Sequence, residues 1–96
     1  VVNLSTIFHT VPDDLNINIY PNPTDDLITI EIEGITKDEI SVSIYNAASQ
    51  LIYTQIIEPV TGNKKKSIDL GSEPEGVYLI RLESEELLKI SRIIVK

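Results

Sequence analysis

Few side chains in this chain could do chemistry, and their spacing limits what that chemistry could be. His9 is the only histidine and cysteine is absent. One imidazole with no thiolate is far from the ligand set of a zinc enzyme. It also lies in a stretch with no regular pattern, where nothing orients it as a general base for a serine nucleophile. Carboxylates are plentiful. Asp13-Asp14 and Asp25-Asp26 form two adjacent pairs, and calcium takes six to eight oxygen ligands. The pairs flank a stretch that reads as a strand of roughly 20 Å, so they do not converge on one site. Capping and turn chemistry accounts for Asp at such positions, and whether either pair holds calcium is left open. A glycosidase pair needs a cleft and a fixed separation between its carboxyl groups. The four glycines form no phosphate loop. Lys64-Lys65-Lys66 reads as a solvated loop, and Asn3-Leu4-Ser5 is a short glycosylation pattern. The expectation is a domain with no catalytic residue, no metal and no cofactor.

The elements that would carry these residues follow a period of two. Leu15, Ile17 and Ile19 alternate with polar neighbours until Pro21-Asn22-Pro23 stops the strand. Proline fixes φ and removes a ladder donor. Ile28, Ile30 and Ile32 define a second strand, and Ile40, Val42 and Ile44 a third. Asn46 to Gln50 forms a turn without glycine. Leu51 to Ile57 is apolar on both sides, which suits a strand covered on both faces. Glu58 to Lys65 reads as a loop, Ile68 and Leu70 as a short fifth strand. Tyr78, Ile80 and Leu82 mark a sixth strand with Arg81 pointing outward, and Leu88 to Val95 a seventh. Seven short strands with turns about every ten residues predict an all-β, immunoglobulin-like antiparallel sandwich.

Ninety-six residues make one domain with one thin core and no deep pocket between its layers. Apolar residues are 42% of the chain, dominated by Ile, Val and Leu, which fit a pleated sheet. Residues 1–13 lack a period and read as a linker from an upstream cargo, with Ile7 and Phe8 able to dock; residues 14–96 are the domain. No apolar run is long enough to span a bilayer as a helix. Net charge is −7, unevenly placed: residues 1–63 hold nine acids and one base, residues 64–96 six acids and seven bases. The acidic body argues against nucleic acid and anionic lipid as partners.

The order of several short elements is more specific than any one of them. Ile19-Tyr20-Pro21-Asn22-Pro23-Thr24 is followed by Val42-Ser43-Ile44-Tyr45-Asn46, then by Ile68-Asp69-Leu70 and Pro74-Glu75-Gly76-Val77-Tyr78. The series ends in Lys89-Ile90-Ser91-Arg92-Ile93-Ile94-Val95-Lys96. Over residues 15–96 this resembles the type A C-terminal sorting domain of the type IX secretion system. Two loops depart from the family pattern: Asn46–Gln50 lacks the usual glycine, and Ser72-Glu73-Pro74-Glu75 replaces the usual Leu-Pro.

The resemblance implies a secretion signal that directs an upstream cargo across the outer membrane. Its implied partners are the type IX translocon, an outer-membrane shuttle protein and a surface sortase that removes the domain. The implied route is the periplasm, then the cell surface or the medium, with the isolated domain a monomer. Pro21, Asn22, Pro23, Gly76 and Tyr78 are expected to be structural. Lys89, Arg92, Ile93, Ile94, Val95 and Lys96 are the expected recognition residues, because an edge strand with flanking cations suits strand addition. The alternative is a retained accessory module that binds carbohydrate or mediates adhesion. The five scattered aromatics and the lack of Trp speak against a sugar platform.

Overall fold

Alternating β-branched residues fold here as the period of two requires. The computed structural model describes the chain from Thr6 onward, with side chains from Thr10. The strands are β1 (Thr6–Thr10), β2 (Asn16–Tyr20), β3 (Leu27–Ile35), β4 (Ile40–Tyr45), β5 (Leu51–Ile57), β6 (Thr61–Asp69), β7 (Gly76–Glu83) and β8 (Leu88–Val95). They form a five-stranded sheet of order β1-β8-β7-β4-β5 and a three-stranded sheet of order β2-β3-β6. Every named pairing is antiparallel. This is an immunoglobulin-like arrangement, in which the second, third and sixth strands face a sheet built on the last two.

The two inner faces meet in one core. Ile28, Ile30, Ile32 and Ile68 from the small sheet pack with Ile40, Val42, Ile44, Ile80, Leu82 and Ile93 from the large one, all essentially buried. Burial of side chains this size supplies most of the stabilisation, at about 1.5–3 kcal/mol each before entropy is counted. Leu15, Val60, Leu70 and Leu87 close the ends from loop positions.

All seven expected strands are present as β2 to β8, and β1 is an eighth. It lies inside the stretch read as linker and pairs Thr6–Thr10 with Ser91–Leu88 of β8. A strand held by backbone pairing needs no apolar period of its own, so the sequence gives no sign of it. The side chains of Ile7, Phe8 and His9, and all of Asn3-Leu4-Ser5, lie outside the described residues.

Three local readings are corrected. First, Lys64-Lys65-Lys66 belongs to a strand, since β6 pairs with β3 along its whole length, from Thr61 opposite Ile35 to Asp69 opposite Leu27. The register puts Lys64 and Lys66 on the core side of this outermost strand, opposite Ile32 and Ile30. Inward lysines on an edge oppose pairing with another chain. Second, β5 is an edge strand and is not covered on both sides; Leu51 and Ile56 are exposed, while Ile52 and Tyr53 rest against the core. A register shift between Ile44 and Tyr45 produces its mixed pattern. Third, β8 is not an edge strand: it lies between β7 and β1.

The turn that lacks glycine finds another solution. Ser49 takes the left-handed conformation at φ 64°. The Asn46 carboxamide oxygen accepts hydrogen bonds from the Ala48 and Gln50 amides at 2.9 and 3.0 Å. An Asx cap thus does the work usually given to glycine.

Candidate recognition site

Among the described residues, strand β1 covers the first half of the outer edge of β8, from Leu88 to Ser91. Beyond Ser91 that edge would be bare, and a bare edge is a template for another strand. The loop after β2 closes it. Asn22 donates through its carboxamide nitrogen to the Arg92 carbonyl and accepts from the Ile94 amide, both at 2.9 Å. The Thr24 amide donates to the Ile94 carbonyl at 2.9 Å, and the Lys96 amide to the Thr24 carbonyl at 2.9 Å. Thr24 is buried, and its hydroxyl donates to the Leu27 carbonyl at 2.6 Å. Prolines at 21 and 23 suit this segment, because it pairs through Asn22 and Thr24 and leaves the proline nitrogens no ladder duty. The tyrosine-proline element and the basic-apolar tail, more than 60 residues apart in the chain, are therefore one structural unit.

The expected recognition residues divide by face. Ile93 and Val95 point into the core and are buried. Arg92 and Ile94 alternate with them and lie half-buried on the outer face of the large sheet, and Lys96 is exposed just past the strand. Lys89 shares the inner side with Ser91 and Ile93, at the rim between the sheets. It lines a surface cleft of ≈ 230 Å³ with Ile17, Asn18 and Asn22. Loss of hydration there pulls its ammonium below the usual lysine range.

At the corner between β6 and β7, Gly76 has φ +153°, a conformation L side chains rarely adopt. The hydroxyl of buried Tyr78 donates to the Pro74 carbonyl. This is the tyrosine corner of immunoglobulin-like sandwiches, with the ring near the start of the second-last strand. Burial first, and the nearby Glu73 carboxylate second, raise the Tyr78 pKa.

Residues 18–96 match the family model for the secretion system C-terminal sorting domain. The chain belongs to that family. The family serves type IX secretion, so the role of this domain is that of a sorting signal for export to the cell surface or the medium. No curated protein matches the chain.

In the sorting domain, the outer faces of the two sheets differ in chemistry. Across the large sheet, Val77 stands opposite Ile94, Leu79 between Arg92 and Tyr45, Arg81 between Ile90 and Ser43, and Tyr45 beside Leu51. Across the small sheet, Glu31 stands between Asn18 and Lys65, and Glu33 between Asn16 and Asn63. Among the described residues no three His, Cys, Asp or Glu side chains are grouped to hold a metal, and no helix is long and apolar enough to cross a membrane. Two contributors escaped the sequence reading. Thr24 carries no chemical signature until its partner strand is known. Arg81 was readable as outward-facing, but its neighbours across the sheet were not.

Proposed function

We propose that the folded domain is read by the type IX translocon and its outer-membrane shuttle protein through Arg92, Ile94 and Lys96, with Ile93 and Val95 supporting them from the core. The observation that carries this reading is the meeting of the two motifs: Asn22 and Thr24 fix the backbone of Arg92 to Lys96 with four hydrogen bonds. A segment held that firmly presents its outward side chains in one geometry, which lowers the ordering cost of binding. The domain acts as a substrate in this scheme. A surface sortase removes it from the cargo after passage through the periplasm, and the domain supplies no catalytic group of its own. Residues 14–96 carry the signal, and the stretch up to residue 13, which adds β1 to the large sheet, leads in from the cargo.

The test is export of a periplasm-targeted reporter fused to residues 6–96 in a host with this pathway. Deleting residues 89–96 is a poor probe, because it also removes Ile93 and Val95 from the core. Arg92→Glu combined with Lys96→Glu leaves the core intact. Loss of export with an unchanged melting temperature is the expected result; undiminished export overturns the assignment of these residues. A retained carbohydrate or adhesive module gains no support from the tyrosines, since Tyr20 and Tyr45 lie on opposite outer faces and Tyr78 is buried.

A further inference from the structure

The outer face of the large sheet combines features that rarely coincide on a solvated surface. Val77 and Leu51 are exposed, at 41% and 54%. Leu79, Ile90, Ile94 and Tyr45 are half-buried on the same face, and among the described residues no layer lies above them. Arg81 and Arg92 are diagonal neighbours here, through the Leu79–Arg92 and Arg81–Ile90 pairs. On β4, β7 and β8 the only carboxylate on this side is Glu83, which pairs with Arg81 at 3.0 Å. Arg92 and Lys96 have no carboxylate within ion-pair distance among the described residues. Arg81 Nε is buried there without a hydrogen-bond partner. The rest of the molecule is acidic enough to bring the net charge to −7.

We infer that this face docks a protein surface with an apolar centre and a carboxylate rim. The apolar centre would cover Leu79, Val77 and Ile94, and the carboxylates would meet Arg92, Lys96 and the exposed part of the Arg81 guanidinium. Arginine pairs with carboxylates in a bidentate geometry, which fixes register as well as attraction. A second copy of this chain fits less well, because a two-fold contact would set the arginines against their own copies. An anionic lipid surface is opposed by the charge of the whole domain. The inference rests on the export reading only for where the partner is met.

The test places a photo-crosslinking amino acid at Val77 on this face, or at Thr29 on the outer face of the small sheet, in the reporter fused to residues 6–96. Crosslinks from position 77 to a protein through an acidic surface segment are expected, with at least a tenfold drop in Arg81→Glu/Arg92→Glu and none from position 29. If that double variant does not fold, Arg92→Gln/Lys96→Gln should still reduce the crosslink several-fold. Equal crosslinking from both positions, a signal that survives loss of the cations, a crosslink to a second copy, or binding of the isolated domain to phosphatidylglycerol vesicles overturns the inference. If the wild-type fusion stays in the periplasm, the export reading fails by itself, and the cation-dependent crosslink from position 77 still decides the docking face.

Discussion

The two outer faces of the sandwich come from the same kind of strand and do opposite things with it. On the small sheet, the solvent-facing positions away from the strand ends are polar: Asn18, Thr29, Glu31, Glu33, Asn63, Lys65 and Ser67; the exposed apolar side chains of this face, Tyr20, Leu27 and Ile35, stand at strand ends. Its contacts close among themselves, with Glu31 accepting from Asn63 at 3.1 Å and facing Lys65 at 3.9 Å. On the large sheet the corresponding positions hold Leu79, Ile90, Ile94 and Tyr45 with two arginines. Folding needs only the inner faces, so nothing about making a sandwich calls for the second pattern. If the large sheet is the recognition face, the difference separates residues that hold the domain together from residues that present something.

Strand β8 carries both kinds side by side, and it gives the sharpest way to break the comparison. Ile93→Ala should destabilise by about 2–5 kcal/mol, the cost of truncating a fully packed side chain. Ile94→Ala, one residue on and facing out, should cost under about 1 kcal/mol. Urea unfolding of both variants measures the contrast. Equal losses would mean that the outer face is part of the core and is not a presenting surface. Next in size is Asn22→Ala. It removes two hydrogen bonds to β8, at about 0.5–1.5 kcal/mol each, and should expose the amide of Ile94 to faster hydrogen exchange while leaving that of Ile30 protected. Asn22→Asp keeps the acceptor for Ile94 and sets a carboxylate against the Arg92 carbonyl, so an intermediate loss is expected.

The inner faces were legible because burial imposes strict alternation, and Ile28, Ile30, Ile32, Ile40, Val42, Ile44, Tyr78, Ile80 and Leu82 all obey it. Asn22 and Gly76 were legible as positions through motif order, without their contacts. Three things were not. β1 and most of β6 are held by backbone pairing along neighbouring strands, and backbone bonds leave no mark on residue type. The covering of β8 depends on a loop about 70 residues earlier, a distance no local pattern spans. The division of Arg92–Lys96 into buried and presented halves follows from alternation, but only once β8 is known to lie inside a sheet; read as a free edge, the same residues all looked available.

Tyr78 and Glu31 sharpen the comparison from its two sides, with smaller effects. Tyr78 opens β7, the strand that presents Leu79 and Arg81. Its phenol is neutral in the fold, with its pKa raised above the unfolded value near 10 by burial and by Glu73. The stability it contributes is complete below pH 10 and is lost as pH rises through the higher folded value. Tyr78→Phe should cost about 1 kcal/mol at pH 7, the price of one hydrogen bond, and should flatten the stability profile above pH 10.

Glu31 tests whether the polar face is energetically quiet. Its pair with Lys65 is long, and the lysine side chain is 60% exposed, so water and salt screen the attraction. The bond from Asn63 is better formed but also solvent-facing. Glu31→Gln keeps an acceptor for Asn63 and removes only the charge. It should change stability by less than about 0.5 kcal/mol, and 1 M NaCl should remove even that difference. Export should be untouched, whereas Arg92→Glu should reduce export at similar stability. A Glu31→Gln variant that folded normally but failed to export would place recognition on both faces, and the chemical asymmetry of the two sheets would then have no bearing on which side the machinery reads.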